Sequence, residues 1–305
     1  MSAQWVKDLR IPVVAAPMFL VSGPDLVIAA SRAGAVGSFP TPNCRTLDDL
    51  ETWLGTITDA LDDQPWALNL VTHRTNARLA DELKLVEQFR PPVVITALGS
   101  PIPALETVQG YGGQVVADVV NLGLARKAIA AGVDGLACVS AGAGGHTGFL
   151  SPFAFISAVR AEFDGLIAVG GGISDGRAVA GAIVAGADLV YMGTRFLATA
   201  ESMAVNEYKQ MVVDYQIDDL VVSDGITGTP ASWLRPSLEA NGFDPDNIQH
   251  TTERSYDATQ SPINKWKDIW AAGQGLGAVK AIEPVSAVVD ALVTEYDAAI
   301  ADLGR

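Results

Sequence analysis

Residues 166–196 read LIAVGGGISDGRAVAGAIVAGADLVYMGTRF, and this stretch decides the fold. It opens on a short apolar run, Leu166 to Val169, and passes through three glycines into a helical pattern, Gly176 to Ala185. It then stops at Gly186 and re-enters an apolar run, Leu189 to Met192. Two short apolar runs joined by an amphipathic segment of about ten residues predict a strand, a helix and a second strand parallel to the first, because parallel strands need a crossover of that length. The same ending recurs at Ala33-Gly34-Ala35 and Ala131-Gly132-Val133-Asp134, each with a glycine suited to the left-handed position after a helix.

Outward from this unit the pattern repeats. Strands are expected at Val13 to Pro17, Ala35 to Phe39, Trp66 to Val71, Val93 to Ala97, Gln114 to Val119, Gly135 to Val139, Leu166 to Val169 and Leu189 to Met192. Helical periodicity lies between them at Pro24 to Arg32, Thr46 to Leu61, Asn76 to Phe89, Leu122 to Ala131, Pro152 to Phe163 and Gly176 to Ala185. Eight such units in series predict an α/β fold of the (β/α)8 TIM barrel type, since open doubly wound sheets have fewer strands. After the eighth strand the pattern changes, with turns such as Asp224-Gly225, Gly228-Thr229-Pro230 and Asn241-Gly242 among polar segments. We therefore expect a barrel over residues 1–200 and 276–305, with an inserted, mainly helical subdomain over 201–275 on the substrate side. A last helix from Val285 to Ile300 would complete the wall.

Composition narrows the function. The chain of 305 residues is 49% hydrophobic and 18% charged, enough apolar material for one large core. Its formal charge of −15 would repel phosphate backbones and anionic lipid, so nucleic acid and membranes are not expected partners. Pro12 to Val21 is apolar, but two prolines interrupt it and no small-x-small cleavage site follows, so a secretory signal is not expected. Cys44 and Cys138 fit neither a disulfide framework nor a zinc site, which points to a cytoplasmic location. Only His73, His146 and His250 are available for acid–base work near neutral pH. The oligomeric state is left open, a homodimer included.

In a barrel the working face is the C-terminal end of the strands. Gly170-Gly171-Gly172-Ile173 after the seventh strand and Met192-Gly193-Thr194-Arg195-Phe196 at the eighth together read as a phosphate site. Glycines let the backbone approach an anion, and amides at a helix start point towards it. A phosphorylated sugar, a nucleotide and flavin mononucleotide (FMN) all fit. After the sixth strand, Ala143-Gly144-Gly145-His146-Thr147-Gly148 puts His146 on a glycine loop at the working face, the natural place for a general base. His73 is the second candidate, and His250 is expected in solvent. Asn69, read as following the third strand, can face a ligand or cap a helix. Ala16-Pro17-Met18 places a fixed turn and a thioether where a planar cofactor could lie.

These motifs resemble the nitronate monooxygenases, also called 2-nitropropane dioxygenases. The resemblance covers most of the chain and includes Glu201 and Ala272-Gly273-Gln274-Gly275. It implies an FMN-dependent (β/α)8 barrel in which Gly171, Gly172, Met192, Gly193 and Thr194 surround the FMN phosphate. Ala16, Pro17, Met18, Asn69, Ala143, Gly144 and Gly145 would contact the flavin, and His146 would be the catalytic base. It also implies oxidation of alkyl nitronates, and of nitroalkanes after loss of a proton, by molecular oxygen to a carbonyl compound and nitrite. Where many members carry a lysine after the fifth strand this chain has Asp118, which would meet the cofactor's polyol instead. Two rivals stay open. One is a flavin-dependent reductase on the same barrel, acting on quinones with NADH or on enoyl-acyl-carrier protein. The other is a flavin-free isomerase or lyase of a phosphorylated metabolite. No metal site is expected.

Overall fold

Short β-branched runs form the barrel wall in this computed structural model, which describes residues 4–251 and 265–304. The strands are β1 (Val13–Ala15), β2 (Gly37–Pro40), β3 (Trp66–Val71), β4 (Val93–Ala97), β5 (Gln114–Val119) and β6 (Gly135–Val139). Beyond a two-residue strand outside the wall, β7 (Gly145–His146), come β8 (Leu166–Gly170) and β9 (Leu189–Met192). All eight wall strands are parallel, in the spatial order β1, β9, β8, β6, β5, β4, β3, β2. The ring closes between its ends, where the Ala15 N–H donates to the Val36 carbonyl at 2.8 Å and the Val36 N–H to the Val13 carbonyl at 2.9 Å. The (β/α)8 barrel expected from the repeat is therefore the fold, and five of the eight strands have the expected bounds.

Strand alternation divides the core in two. Inward residues such as Val14, Val36, Ala67, Val116, Leu166 and Leu189 fill the barrel. A larger outer set, including Phe39, Leu68, Val94, Leu136 and Ile167, packs under the helices. The N-terminal helix α1 (Gln4–Lys7) plugs the lower end, where the Trp5 indole N–H donates to the Gln114 side-chain oxygen at 2.8 Å. The wall is wrapped by α2 (Pro24–Arg32), α3 (Leu47–Leu61), α4 (Leu79–Phe89), α5 (Ile102–Gly110), α6 (Leu122–Ala131), α7 (Pro152–Arg160) and α8 (Gly176–Val184).

Departures from expectation have local causes. β1 stops at Ala15 and not at Pro17, since proline has no N–H for the ladder. α4 begins at Leu79 and not at Asn76. The Asn76 Oδ1 accepts from the Arg78 N–H at 3.0 Å and its Nδ2 donates to the Val71 carbonyl at 2.8 Å, a side-chain turn that precedes the helix. Helix α5 has no counterpart among the expected helices, because Pro101 and Pro103 break its periodicity at the start. Gly34, Gly132 and Gly186 take the expected left-handed conformation, with φ of 92°, 92° and 110°.

After β9 come α9 (Thr194–Leu197), α10 (Asn206–Asp214), the strands β10 (Leu220–Ser223) and β11 (Ala231–Leu234), α11 (Arg235–Ala240) and α12 (Lys265–Asp268). The segment expected to be mainly helical thus also carries a hairpin, in which Leu220-Val221-Val222 pairs antiparallel with Ser232-Trp233-Leu234. Part of that segment, 252–264, lies outside the described residues. Helix α13 (Val285–Leu303) returns to the wall, burying Val285, Val288, Val289 and Leu292 at helical spacing. Glu201 holds its start: both carboxylate oxygens accept from the Val285 N–H, at 3.1 and 3.0 Å. Replacing Glu201 with Ala should lower unfolding stability by about 1 kcal/mol, the usual effect of losing such a cap, measured by urea denaturation.

Candidate active site

Three loops at the C-terminal end of the barrel are tied together by main-chain bonds. The Ser140 N–H donates to the Gly170 carbonyl at 2.8 Å and the Gly172 N–H to the Gly142 carbonyl at 3.1 Å, joining the loops after β6 and β8. The Gln274 N–H reaches the same Gly142 carbonyl at 2.9 Å, and the Gly273 N–H donates to the Thr194 hydroxyl at 2.9 Å, which brings in the loop after β9. These approaches leave no room for side chains. A Cβ on Gly144 would lie 2.6 Å from the Gly273 nitrogen, and one on Gly171, whose φ is +141°, would lie 2.5 Å from the Ala141 oxygen.

The same loops present donors. The main-chain N–H groups of Gly171, Gly193 and Thr194 have no partner among the described residues, and all three residues reach the surface. Unpaired amides gathered at a glycine-rich strand end fit an anionic phosphate without help from a cation. Arg195, next in the chain, is buried and directed elsewhere, its guanidinium 3.1 Å from the Glu283 carboxylate. Met192 differs from expectation. Its side chain is buried in the core between wall and helices, so only its carbonyl, which accepts from the Ala16 N–H at 3.0 Å, belongs to the mouth. Gly172 is exposed at the lip, with its N–H already engaged.

The turn after β1 faces this cradle. A Cβ on Gly193 would meet the Met18 sulfur at 3.5 Å and the Ala16 Cβ at 3.9 Å, so Ala16, Pro17 and Met18 line the mouth beside the loop after β9. Asn43 holds the turn, its Nδ2 donating to the carbonyls of Met18 at 3.1 Å and Ser22 at 2.7 Å. Asn69 lies inside β3 and not after it. It is buried, and its Nδ2 donates to the Ile95 carbonyl at 3.3 Å, so it caps no helix. Asp118 alternates with Val116 and so faces into the barrel near the end of β5. Burial pushes its carboxyl up to about 7.

His146 is held by a structure that sequence reading did not foresee. β7 pairs antiparallel with β11, matching His146 with Ala231 and Gly145 with Ser232, while the Thr147 N–H donates to the Pro230 carbonyl at 3.1 Å. The imidazole stands edge-on to Trp266, ring centres 5.0 Å apart at 72°, and Trp266 leans on the fully buried Trp233 at 4.8 Å. Burial holds this imidazole below its usual pKa, which keeps it neutral and able to accept a proton near pH 7. Ala143, Gly144 and Gly145 carry the loop up to it. Nothing local in the sequence shows that Trp266 meets His146, because the two are far apart along the chain.

The remaining candidates separate clearly. The His73 Nδ1 lies 2.7 Å from the Thr75 hydroxyl in the loop after β3. His250 is in solvent, its side chain 91% exposed and 2.6 Å from the Asp224 carboxylate. Cys44 and Cys138 are free and buried, each pushed up to about 12, chiefly by burial. Among the described residues no group of histidine, cysteine and carboxylate side chains is placed to hold a metal, and no helix is long and apolar enough to cross a membrane.

Comparison with known proteins agrees with this geometry. A family model described as nitronate monooxygenase matches residues 71–295. The (3aS,4S,5R,7aS)-5-hydroxy-7a-methyl-1-oxo-octahydro-1H-indene-4-carboxyl-CoA dehydrogenase of Mycobacterium tuberculosis is 31% identical over 230 residues, covering 74% of this chain. The chain spans 64% of that relative's length, less than two thirds. A nitronate monooxygenase of Paraburkholderia phytofirmans is 26% identical over 294 residues, covering 81% of this chain and 80% of the relative. Among solved structures, FabK from Thermotoga maritima superposes with a TM-score of 0.79 at 25% identity, covering 98% of this chain and 96% of its own. The matched range runs from β3 into α13 and takes in the histidine loop, the amide cradle and the segment that pins them, so the chain belongs to the nitronate monooxygenase family.

Proposed function

We propose that this protein is an FMN-dependent oxidoreductase that oxidises alkyl nitronates with molecular oxygen to a carbonyl compound and nitrite, taking nitroalkanes after His146 has removed their α-proton. The observation that carries this reading is the placement of a desolvated, neutral imidazole beside a mouth lined by unpaired amides. Family membership supports a flavin, and the N–H groups of Gly171, Gly193 and Thr194 fit the phosphate of FMN. Bound there, FMN would supply the electron transfer and the reaction with oxygen. The chain's own part is orientation, exclusion of water and the proton. Ala16, Pro17, Met18 and Asn69 would bound the ring, and residues 201–275 would cover the substrate side through the hairpin and the tryptophan pair.

A second reading has specific support. The relative at 31% identity is named as a dehydrogenase of a CoA thioester, and FabK shares the whole barrel. A proton α to a thioester carbonyl is far less acidic than a nitroalkane's but is still one that an enzyme's general base removes, so His146 would take the base role with either substrate. One anaerobic experiment separates them. The flavin-loaded protein should lose its visible absorbance with ethylnitronate and keep it with NADH or an acyl-CoA. Bleaching by NADH or the thioester, with none by the nitronate, would transfer the function to the second reading, and a colourless protein that cannot be reconstituted with FMN would remove both.

A further inference from the structure

The barrel lining changes character along its axis. Its lower inward positions are apolar, but towards the mouth alternation brings in Asn69 on β3, Asp118 on β5 and Tyr191 on β9. Asn69 has a main-chain partner. The Asp118 Oδ1 and the Tyr191 hydroxyl are buried and have none among the described residues, although Asp118 as a whole is only partly covered. A buried polar atom left unpaired has lost its water without a replacement, so two in one lining call for a counterpart.

Tyr191 senses the Asp118 carboxylate. Burial first, and then the Asp118 charge, raises the Tyr191 phenol well above its ordinary range. Burial alone moves Asp118, and no lysine or arginine takes part in either shift. On neighbouring β6 the Asp118 carboxylate also affects Cys138, whose thiol stays neutral. Among the described residues, Asp118 is therefore an acid inside the barrel whose shift no cation offsets.

We propose that Asp118 and Tyr191 form an acid-sensitive subsite, in which the neutral carboxyl and the phenol hold polar atoms of the bound flavin and ionisation of the carboxyl loosens that hold. The proposal rests on the flavin reading above. A neutral carboxyl both donates and accepts a hydrogen bond; an ionised one only accepts, and it repels an anionic cofactor.

Riboflavin is the appropriate probe, because it lacks the FMN phosphate and its own titration. Apoprotein is titrated with riboflavin at pH 6 and pH 8, with quenching of flavin fluorescence as the readout. With the carboxyl at about 7, the binding-competent fraction falls from ~0.9 to ~0.09, so wild-type affinity should drop roughly tenfold. Asp118→Asn should bind with an affinity that changes less than about twofold over the same range. Tyr191→Phe should bind several-fold more weakly at both pH values while keeping the drop.

Thermal unfolding of the apoprotein gives a readout without ligand. Folded Asp118 keeps a proton that the unfolded chain loses above about pH 4, so wild-type stability should fall as pH rises from about 4 to about 7, and Asp118→Asn should lack that share of the fall. A wild type with flat riboflavin affinity, or an Asn variant that keeps the wild-type drop, overturns the subsite whatever the unfolding data give. If neither riboflavin nor FMN binds at any pH, the flavin reading falls and takes this proposal with it. Binding by both variants without the predicted pH pattern sinks the subsite alone.

Discussion

Replacing His146 with Ala should leave the flavin bound and lower turnover of neutral nitroalkanes by roughly a hundred- to ten-thousand-fold, the range a positioned general base contributes. The imidazole packs on Trp266, and its main chain pairs with β11, so neither link runs through the amide cradle and cofactor affinity should change little. Preformed nitronates should still react, since their proton is already gone. In the wild type, kcat/KM for a nitroalkane should rise with pH through a value below the usual histidine range and then level off, because burial lowers the His146 pKa and the neutral form is the base. Steady-state rates on matched nitroalkane and nitronate pairs check both points. Equal losses on the two substrates, or undiminished turnover on the nitroalkane, would remove His146 from the base role.

The second large effect should come from Gly171→Ala. A side chain at φ of +141° is strained by about 1–3 kcal/mol, and its Cβ would sit 2.5 Å from the Ala141 oxygen. Ala141 has little freedom to withdraw, because its own N–H donates to the Leu150 carbonyl at 2.8 Å. The loop after β8 must therefore move, carrying with it the Gly171 N–H of the cradle. FMN affinity should fall by roughly a hundredfold, as a few kcal/mol requires. The barrel should still form, because its ladders and core lie below the loop. Fluorescence titration with FMN measures the loss, and far-ultraviolet circular dichroism checks the fold. Wild-type affinity in this variant would mean that the phosphate is held elsewhere.

Much of this was legible along the chain, for a local reason. A βα unit declares itself within about 30 residues, through β-branched runs, amphipathic spacing and a glycine after the helix, so the eight strands and the closed barrel could be read by repetition. The Gly171, Gly193 and Thr194 cradle was legible too, because loops at the C-terminal ends of the strands share one face in such a barrel. Asn69 was misplaced by position alone: strand length was right, but it sits within the ladder with its amide already engaged.

Along the chain alone, then, the barrel, the strand ends that carry the glycine loops and the place of His146 on one of those loops were already determined, since each depends on residues near one another in the chain. Only the tertiary structure decided what surrounds them. It laid Trp266 against a histidine 120 positions earlier, pinned that histidine's loop to a hairpin from a segment expected to be mainly helical, and spent the Thr194 hydroxyl on Gly273. It also turned Asp118 and Tyr191 into the same lining, with the Asp118 Oδ1 and the Tyr191 hydroxyl unpaired among the described residues. The physical reason is that burial and pairing are properties of neighbours in space. Side-chain pKa values and free donors follow from those neighbours, and no local pattern encodes which distant residues will supply them.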